Sequence, residues 1–223
     1  MKIEKSRNDS HRKEPLDTIP KFGETLSGKS FPDWDRLYND LEVEFMPWYL
    51  PDLDPDLKEA LAEYHLDSGS FLDVGTGPGT QAIALSKMGF DVTGVDISEK
   101  AIEKAKKLDE KIHFIHDDIL NTRINQKFNS IFDRGCFHII DQGKRALYIS
   151  EIAKLLVPGG YLFLKCFSDK NTDTGFGPYL FSRSMIESLF KDRFIIRSIK
   201  DSVYQSLSSQ EHQTLFAVLK KKE

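Results

Sequence analysis

From Ser70 to Lys220 short apolar runs alternate with helical patterns, and that alternation leaves few folds open. SFLDVG, FDVTGVD, KIHFIH, NSIFDRG and YLFLKCF have the length and apolar content of buried strands. Between them lie TQAIALSKM, which ends at Gly89, and a helix capped by Ser98 that carries Ala101, Ile102, Ala105 and Leu108. A further helix, Lys144–Leu156, stops before Pro158-Gly159-Gly160. A short helix near Ser184–Phe190 follows, with Ser184 and Glu187 at capping-box spacing. RFIIRSIK and QTLFAVLK then lie close enough to pair antiparallel. Strands alternating with helices bury a parallel sheet on both faces. The expected architecture is α/β: a mainly parallel seven-stranded sheet, helices on both faces, and an antiparallel last strand.

The first 65 residues follow a different pattern. Residues 1–30 are polar, lack periodicity and read as a mobile arm. Trp34, Tyr38, Leu41, Phe45 and Trp48 recur at helical spacing within Phe31–Leu50, until Pro47 and Pro51 interrupt. Asp54 then suits an N-cap, with Pro55 at the first helical position and Leu57, Leu61 and Tyr64 on one face. Residues 31–65 are therefore an aromatic helical segment and residues 66–223 one sheet domain. A net charge of −4 argues against a nucleic-acid binder, which carries a basic excess. No run approaches the ~20 apolar residues of a membrane span, and MKIEKSRNDSHRKEP has no apolar core of a secretory signal. Two cysteines are too few for a disulfide framework, so a reducing, cytoplasmic setting is expected. Most of the 16 phenylalanines should be core, with some left to line a pocket.

The first strand runs into Asp73-Val74-Gly75-Thr76-Gly77-Pro78-Gly79-Thr80. Glycines at a strand-to-helix turn admit a ligand to the backbone. The dinucleotide fingerprint G-x-G-x-x-G would need its third glycine at position 80, where Thr80 stands. With Asp96, the pair Asp117-Asp118 and LLVPGGYLFL, in order, the segment resembles the class I S-adenosylmethionine-dependent methyltransferases. The resemblance spans about Leu66 to Lys220 and implies a Rossmann-like sheet with S-adenosyl-L-methionine as cofactor. Asp73, Gly75, Thr76, Gly77, Gly79, Asp96 and Ile97 would bind it. Asp96, closing the second strand, can accept both ribose hydroxyls. Asp118 would accept from the adenine amino group, with Asp117 its rival, and the Ile119 N–H would meet a ring nitrogen. Asp73 is equally readable as a loop-ordering acid. No metal is implied.

Phe132-Asp133-Arg134-Gly135-Cys136-Phe137-His138 ends the fourth strand, which in this fold faces the transferred methyl. Asp133 and His138 are the catalytic candidates and Cys136 a substrate contact. The alternatives are a packing role for Cys136, a core role for His138 and a surface ion pair for Arg134. DWDRLYNDLEVEFMPWYL looks like the aromatic lid of the thiopurine, thiol and halide methyltransferases and their tellurite-resistance relatives. On that resemblance Trp34 and Tyr38 flank the cofactor and Trp48 the substrate, whereas an amphipathic helix packed on the core explains the same residues. CFSDKNTDTGFGPYLFS resembles a loop that borders the acceptor pocket in the bacterial members, making Tyr179 and Phe181 substrate candidates. A small-molecule acceptor is expected, with no nucleic-acid or membrane partner, in a monomer or homodimer. A non-catalytic S-adenosylmethionine-binding module and a nicotinamide-dependent oxidoreductase are the alternative functions.

Overall fold

The computed structural model describes residues 22–24, 29–46, 48–173, 177–205 and 212–223. Most of the polar arm, Pro47, and residues 174–176 and 206–211 lie outside them. β1 (Phe22–Glu24) and β2 (Ser30–Phe31) pair antiparallel as a small separate ladder. The main sheet is built from β3 (Ser70–Val74), β4 (Asp91–Asp96), β5 (His113–His116), β6 (Phe128–Arg134), β7 (Leu156–Phe167), β8 (Phe194–Val203) and β9 (Gln213–Lys221). Its order is β5-β4-β3-β6-β7-β9-β8. The first five strands run parallel, and β9 inserts antiparallel between β7 and β8. This is the seven-stranded α/β sheet the sequence implies.

Period-two alternation sorts the core into two faces. Leu72, Ile131, Leu162, Leu164, Leu215, Ala217 and Leu219 lie with Tyr148, Ile149 and Ile152 of α5 (Arg145–Leu155) and with Ile186 and Phe190 of α6 (Arg183–Phe190). Their neighbours Phe71, Phe132, Phe163, Phe216 and Val218 turn the other way, toward α3 (Thr80–Lys87) and α4 (Glu99–Leu108). Phe71, Phe163 and Phe216 stack across three strands at centroid spacings of 6.1 and 6.5 Å. The phenylalanine excess is therefore mostly a core feature.

Four local expectations change. The aromatic periodicity of Phe31–Leu50 is not one helix: α1 (Trp34–Asp40) ends where Leu41 turns extended, and a single 3-10 turn, Val43–Phe45, follows. α2 (Pro55–Glu63), capped by Asp54, buries Leu57, Ala60 and Leu61 in the second face of the core. It completes the sheet's helical layer rather than joining the lid. Ser182, not Ser184, caps α6 by accepting from the Met185 N–H. β7 starts at Leu156 and absorbs Pro158-Gly159-Gly160, with a register shift between Phe128 and Ser130 of β6 taking up the irregularity. Among the described residues no helix is long and apolar enough to cross a membrane.

Candidate functional site

β3 is the first strand of the main sheet yet lies in its middle, flanked by β4 and β6. The chain winds outward through β4 and β5, then returns to β6, so a crevice opens at the carboxyl ends of β3 and β6. The glycine turn occupies that crevice. Gly75, Gly77 and Gly79 have φ of 66, 53 and 80°, where a side chain is strained. A Cβ on Gly77 would stand 2.7 Å from the Tyr38 hydroxyl, and one on Gly75 would stand 2.9 Å from Cys136 Cβ. Gly79 differs: its missing Cβ makes room for the Phe114 ring and Ala105, so its job is helix packing rather than ligand contact. Thr76 also turns inward, where its hydroxyl donates to Asp73 at 2.6 Å and its N–H to Val95 O.

The acids divide by what already occupies them. Asp96 is buried and accepts from the Gly77 N–H at 2.8 Å and the Ser98 N–H at 2.9 Å, one on each oxygen. Burial raises its pKa while those N–H groups lower it. Each oxygen keeps a further lone pair. Ile97 beside it is a largely exposed apolar residue. Asp117 takes the Thr122 hydroxyl and the N–H and guanidinium of Arg123, which commits it to the following loop. Asp118 is half-buried and accepts only from the Leu120 N–H among the described residues. The Ile119 side chain is buried in the core. Asp73 is buried with Thr76 on it, and burial lifts its pKa to about 6, which suits a loop-ordering acid.

The aromatic segment is folded over this turn. Trp34 and Tyr38 of α1 each set a ring edge-on to Trp48, at 5.9 Å. Asp35 fastens α1 to α4 by accepting from the Ser98 hydroxyl and the Lys100 N–H. Trp48 Nε1 is buried beside the Tyr38 hydroxyl without a well-formed hydrogen bond among the described residues, 3.8 Å from the site of a Gly77 Cβ. An unpaired buried donor is costly, so native proteins rarely keep one without a use for it.

The anchor of this segment went unseen in the sequence. Gln81 of α3 donates to the Leu50 and Asp52 carbonyls and accepts from the Asp54 N–H. The Asp54 carboxylate, fully buried, receives Arg134 Nε at 2.8 Å and Lys165 Nζ at 2.9 Å. Lys165 also reaches Asp56 at 2.6 Å and Gln205 Oε1 at 2.6 Å, while Arg134 donates to the Trp48 carbonyl. Arg134 is thus buried in a four-charge network, not in a surface pair. The available signal was Lys165 itself, a charge inside the apolar run YLFLKCF.

The end of β6 corrects several expectations. Asp133 is fully buried, and its carboxylate accepts from the N–H groups of Gly135, Cys136 and Phe137 and from the Tyr148 hydroxyl. Burial raises its pKa to about 7 against those donors. It orders the turn and has no face left for a substrate, so it is not the expected catalytic acid. Burial pushes the Cys136 thiol well up, so it is no thiolate nucleophile, while its Cβ packs on Gly75 and the residue stays half-buried at the turn. Phe181 is wholly buried between Phe137 and the Arg145 guanidinium, beyond any substrate's reach. Tyr179 commits its hydroxyl to Asp141 at 2.6 Å and its N–H to the His138 carbonyl at 2.7 Å, so it shapes the turn. His138 is buried, edge-on to Phe167 at 4.8 Å, and its Nδ1 accepts from the Phe167 N–H at 3.3 Å.

This arrangement can be set beside known proteins. Residues 71–160 match the methyltransferase domain family. A probable thiol methyltransferase of Arabidopsis thaliana is 28% identical over 174 residues, 75% of this chain and 75% of that protein. An uncharacterized methyltransferase of Schizosaccharomyces pombe is 35% identical over 107 residues, which is 45% of this chain and 72% of that one. The chain belongs to the class I S-adenosylmethionine-dependent methyltransferases. The methyltransferase also shares its fold with the N-methyltransferase NodS of Bradyrhizobium japonicum, solved with S-adenosyl-l-homocysteine. The TM-score is 0.66 at 18% identity, over 86% of this chain and 100% of NodS. The residues present fit the family's cofactor: a glycine cradle that a Cβ would fill, a buried acid with lone pairs to spare, and an orphaned indole donor above them.

Proposed function

We propose that this methyltransferase methylates a small, soft nucleophile of the thiol class, with the aromatic segment closing over both reactants. The observation that carries the reading is the Trp34–Tyr38–Trp48 cluster set over Gly77 with Trp48 Nε1 unpaired. The similarity to a plant thiol methyltransferase over three quarters of the chain supports it. In this reading Asp96 accepts the ribose hydroxyls with the lone pairs that Gly77 and Ser98 leave free. Asp118 meets the adenine amino group, since Asp117 is committed to Arg123 and Thr122. Ile97 covers the adenine face, and the backbones of Gly75, Gly77 and Ile119 approach the cofactor directly. Trp34, Tyr38 and Trp48 place ring faces near its sulfonium, each contact worth about 0.5–2 kcal/mol, and exclude water.

When bound, the cofactor supplies a methyl group on a sulfonium, a leaving group that needs no acid. The protein's part is orientation, which can contribute about 7–11 kcal/mol. Neither of the two candidate bases among the described residues is poised to act as one. Asp133 is saturated with donors, and His138 has its Nδ1 lone pair occupied. An acceptor that arrives already nucleophilic fits such a site. A small acceptor, no nucleic-acid partner and a cytoplasmic setting belong to the same proposal.

Two measurements test it. Calorimetry should show S-adenosylhomocysteine binding at micromolar concentration, and NADH binding in its place would refute the reading. A panel of thiols, chalcogen oxyanions, halides, phenols and amines, scored by S-adenosylhomocysteine release, should favour the thiols. Turnover of amines or phenols alone would overturn the acceptor class, and cofactor binding without any release would mark a non-catalytic module.

A further inference from the structure

Two facts about His138 remain after the mechanism. Its ring is held by two aromatic neighbours, and one of its nitrogens has a fixed partner. Phe167 sets its ring edge-on at 4.8 Å, and Tyr204 lies 6.4 Å away with its hydroxyl donating to the Arg134 carbonyl. The Phe167 N–H, fixed by β7, points its hydrogen at Nδ1. A backbone N–H cannot turn away, so Nδ1 must present a lone pair and cannot carry a proton. The charged and titratable groups around the ring are Arg134 of β6, His212 before β9 and Tyr204 after β8. Among the described residues none is a carboxylate. Burial and the Arg134 charge hold the imidazole neutral, with its pKa lowered to about 3. A neutral imidazole without a proton on Nδ1 carries it on Nε2.

Nε2 stands at the Gly135 turn, 3.2 Å from where a Gly135 Cβ would be. It has no hydrogen-bond partner among the described residues. Gly135 adjoins Cys136, whose Cβ lies against Gly75, so the turn that carries this N–H borders the carboxyl ends of β3 and β6. We propose that His138 is a fixed hydrogen-bond donor that selects an acceptor able to receive an N–H bond, and that it does not act as a general base. The proposal rests on the methyl-transfer reading above and adds to it the residue that sets acceptor specificity. A donor there stabilises a thiolate as it enters, and it leaves a protonated acceptor unassisted.

The tautomer can be read without any acceptor. Histidine-selective 15N NMR of the full chain, with the His138 signals assigned by their loss in H138Q, should show Nε2 protonated and Nδ1 acceptor-like from pH 8 to pH 5. A proton on Nδ1, or titration near pH 6.5, would overturn the proposal whether or not the protein turns over. The kinetic arm uses two acceptors: 4-nitrobenzenethiol, ionised throughout pH 6–9, and 2-mercaptoethanol, mostly protonated at pH 7. Loss of the donor in H138L should lower kcat/KM about tenfold or more for the preformed thiolate, since a hydrogen bond to a charged group is lost. H138Q, which keeps an N–H and an oxygen for Phe167, should recover most of that loss. A base would show the reverse, with 4-nitrobenzenethiol indifferent to H138L and only 2-mercaptoethanol affected. Failure of the wild type with every thiol would refute the function itself, while the NMR result still decides the histidine.

Discussion

Asp96 and Asp133 end neighbouring parts of one sheet, both buried, yet they are finished differently. Asp133 takes three backbone N–H groups and a tyrosine hydroxyl, so every direction around its carboxylate is used. Asp96 takes the Gly77 and Ser98 N–H groups, one per oxygen, with the Ile97 N–H beside them and no side-chain donor among the described residues. The first is a structural knot that fixes the turn carrying Cys136 and His138. The second braces the glycine turn and keeps capacity for a ligand. Burial and a carboxylate at a strand end therefore do not mark an acid as open to a ligand; unspent hydrogen-bonding capacity does.

The largest effect should come from breaking the saturated acid. Asp133→Ala strands four donors in the core, and chemical denaturation should show a loss of about 3–5 kcal/mol. What remains folded should still bind S-adenosylhomocysteine. Asp96→Ala should do the opposite. Calorimetry should show affinity for S-adenosylhomocysteine weakened by about 2–5 kcal/mol, with a smaller loss of stability. If Asp133→Ala abolished binding in folded protein while Asp96→Ala left it unchanged, the contrast between the two acids would be reversed.

The same contrast explains what could be read from the sequence. Strand periodicity and the glycine turn are local signals, and they carried the sheet, its antiparallel end and the positions of Asp96 and Asp118. Whether an acid is saturated depends on the backbone two to four residues after it and on a tyrosine fifteen positions away, as Tyr148 is from Asp133. No periodicity encodes that. The long aromatic helix failed for a related reason: Trp34, Tyr38 and Trp48 meet in space through a break at Leu41 and a 3-10 turn, not along one helical face. Gly79 and Thr76 belong to the motif yet serve packing and bracing. The Asp54–Lys165 contact joins residues 111 positions apart, which only the assembled sheet brings together.

Titration sharpens the division between the knot and the crevice. The His138 pKa falls to about 3 in the folded chain, against an ordinary 6.5. As pH drops through 6.5 the unfolded chain takes a proton that the folded chain refuses, so His138 lowers stability progressively toward pH 3. Asp133 and Asp73, raised to about 7 and about 6, work in the other direction, keeping their protons in the folded state as pH rises through 3.8. Comparing wild type with H138Q cancels the acids. Between pH 6 and pH 4 the stability difference should move in the variant's favour by up to about 1.4 kcal/mol per pH unit. Parallel stability curves for the two proteins would show that His138 titrates normally and is exposed.

The smallest expected effect concerns the crevice's unpaired donor. In Trp48→Phe the ring contacts with Trp34 and Tyr38 are largely kept and Nε1 is removed. Because that nitrogen makes no well-formed hydrogen bond among the described residues, removing it sacrifices little beyond a weak contact with the Tyr38 hydroxyl in the unliganded protein. Stability should change by less than about 1 kcal/mol, some of the lost ring volume being offset by relief of a buried, unsatisfied donor. Binding is where the difference should appear. If a cofactor or acceptor oxygen satisfies Nε1, affinity for S-adenosylhomocysteine or KM for the thiol should worsen by about 1 kcal/mol, roughly fivefold. A change in KM with calorimetric affinity intact assigns the indole to the acceptor side, and the reverse assigns it to the cofactor. Loss of stability with neither binding term altered would make Trp48 a packing residue and leave Tyr38 as the polar group over Gly77.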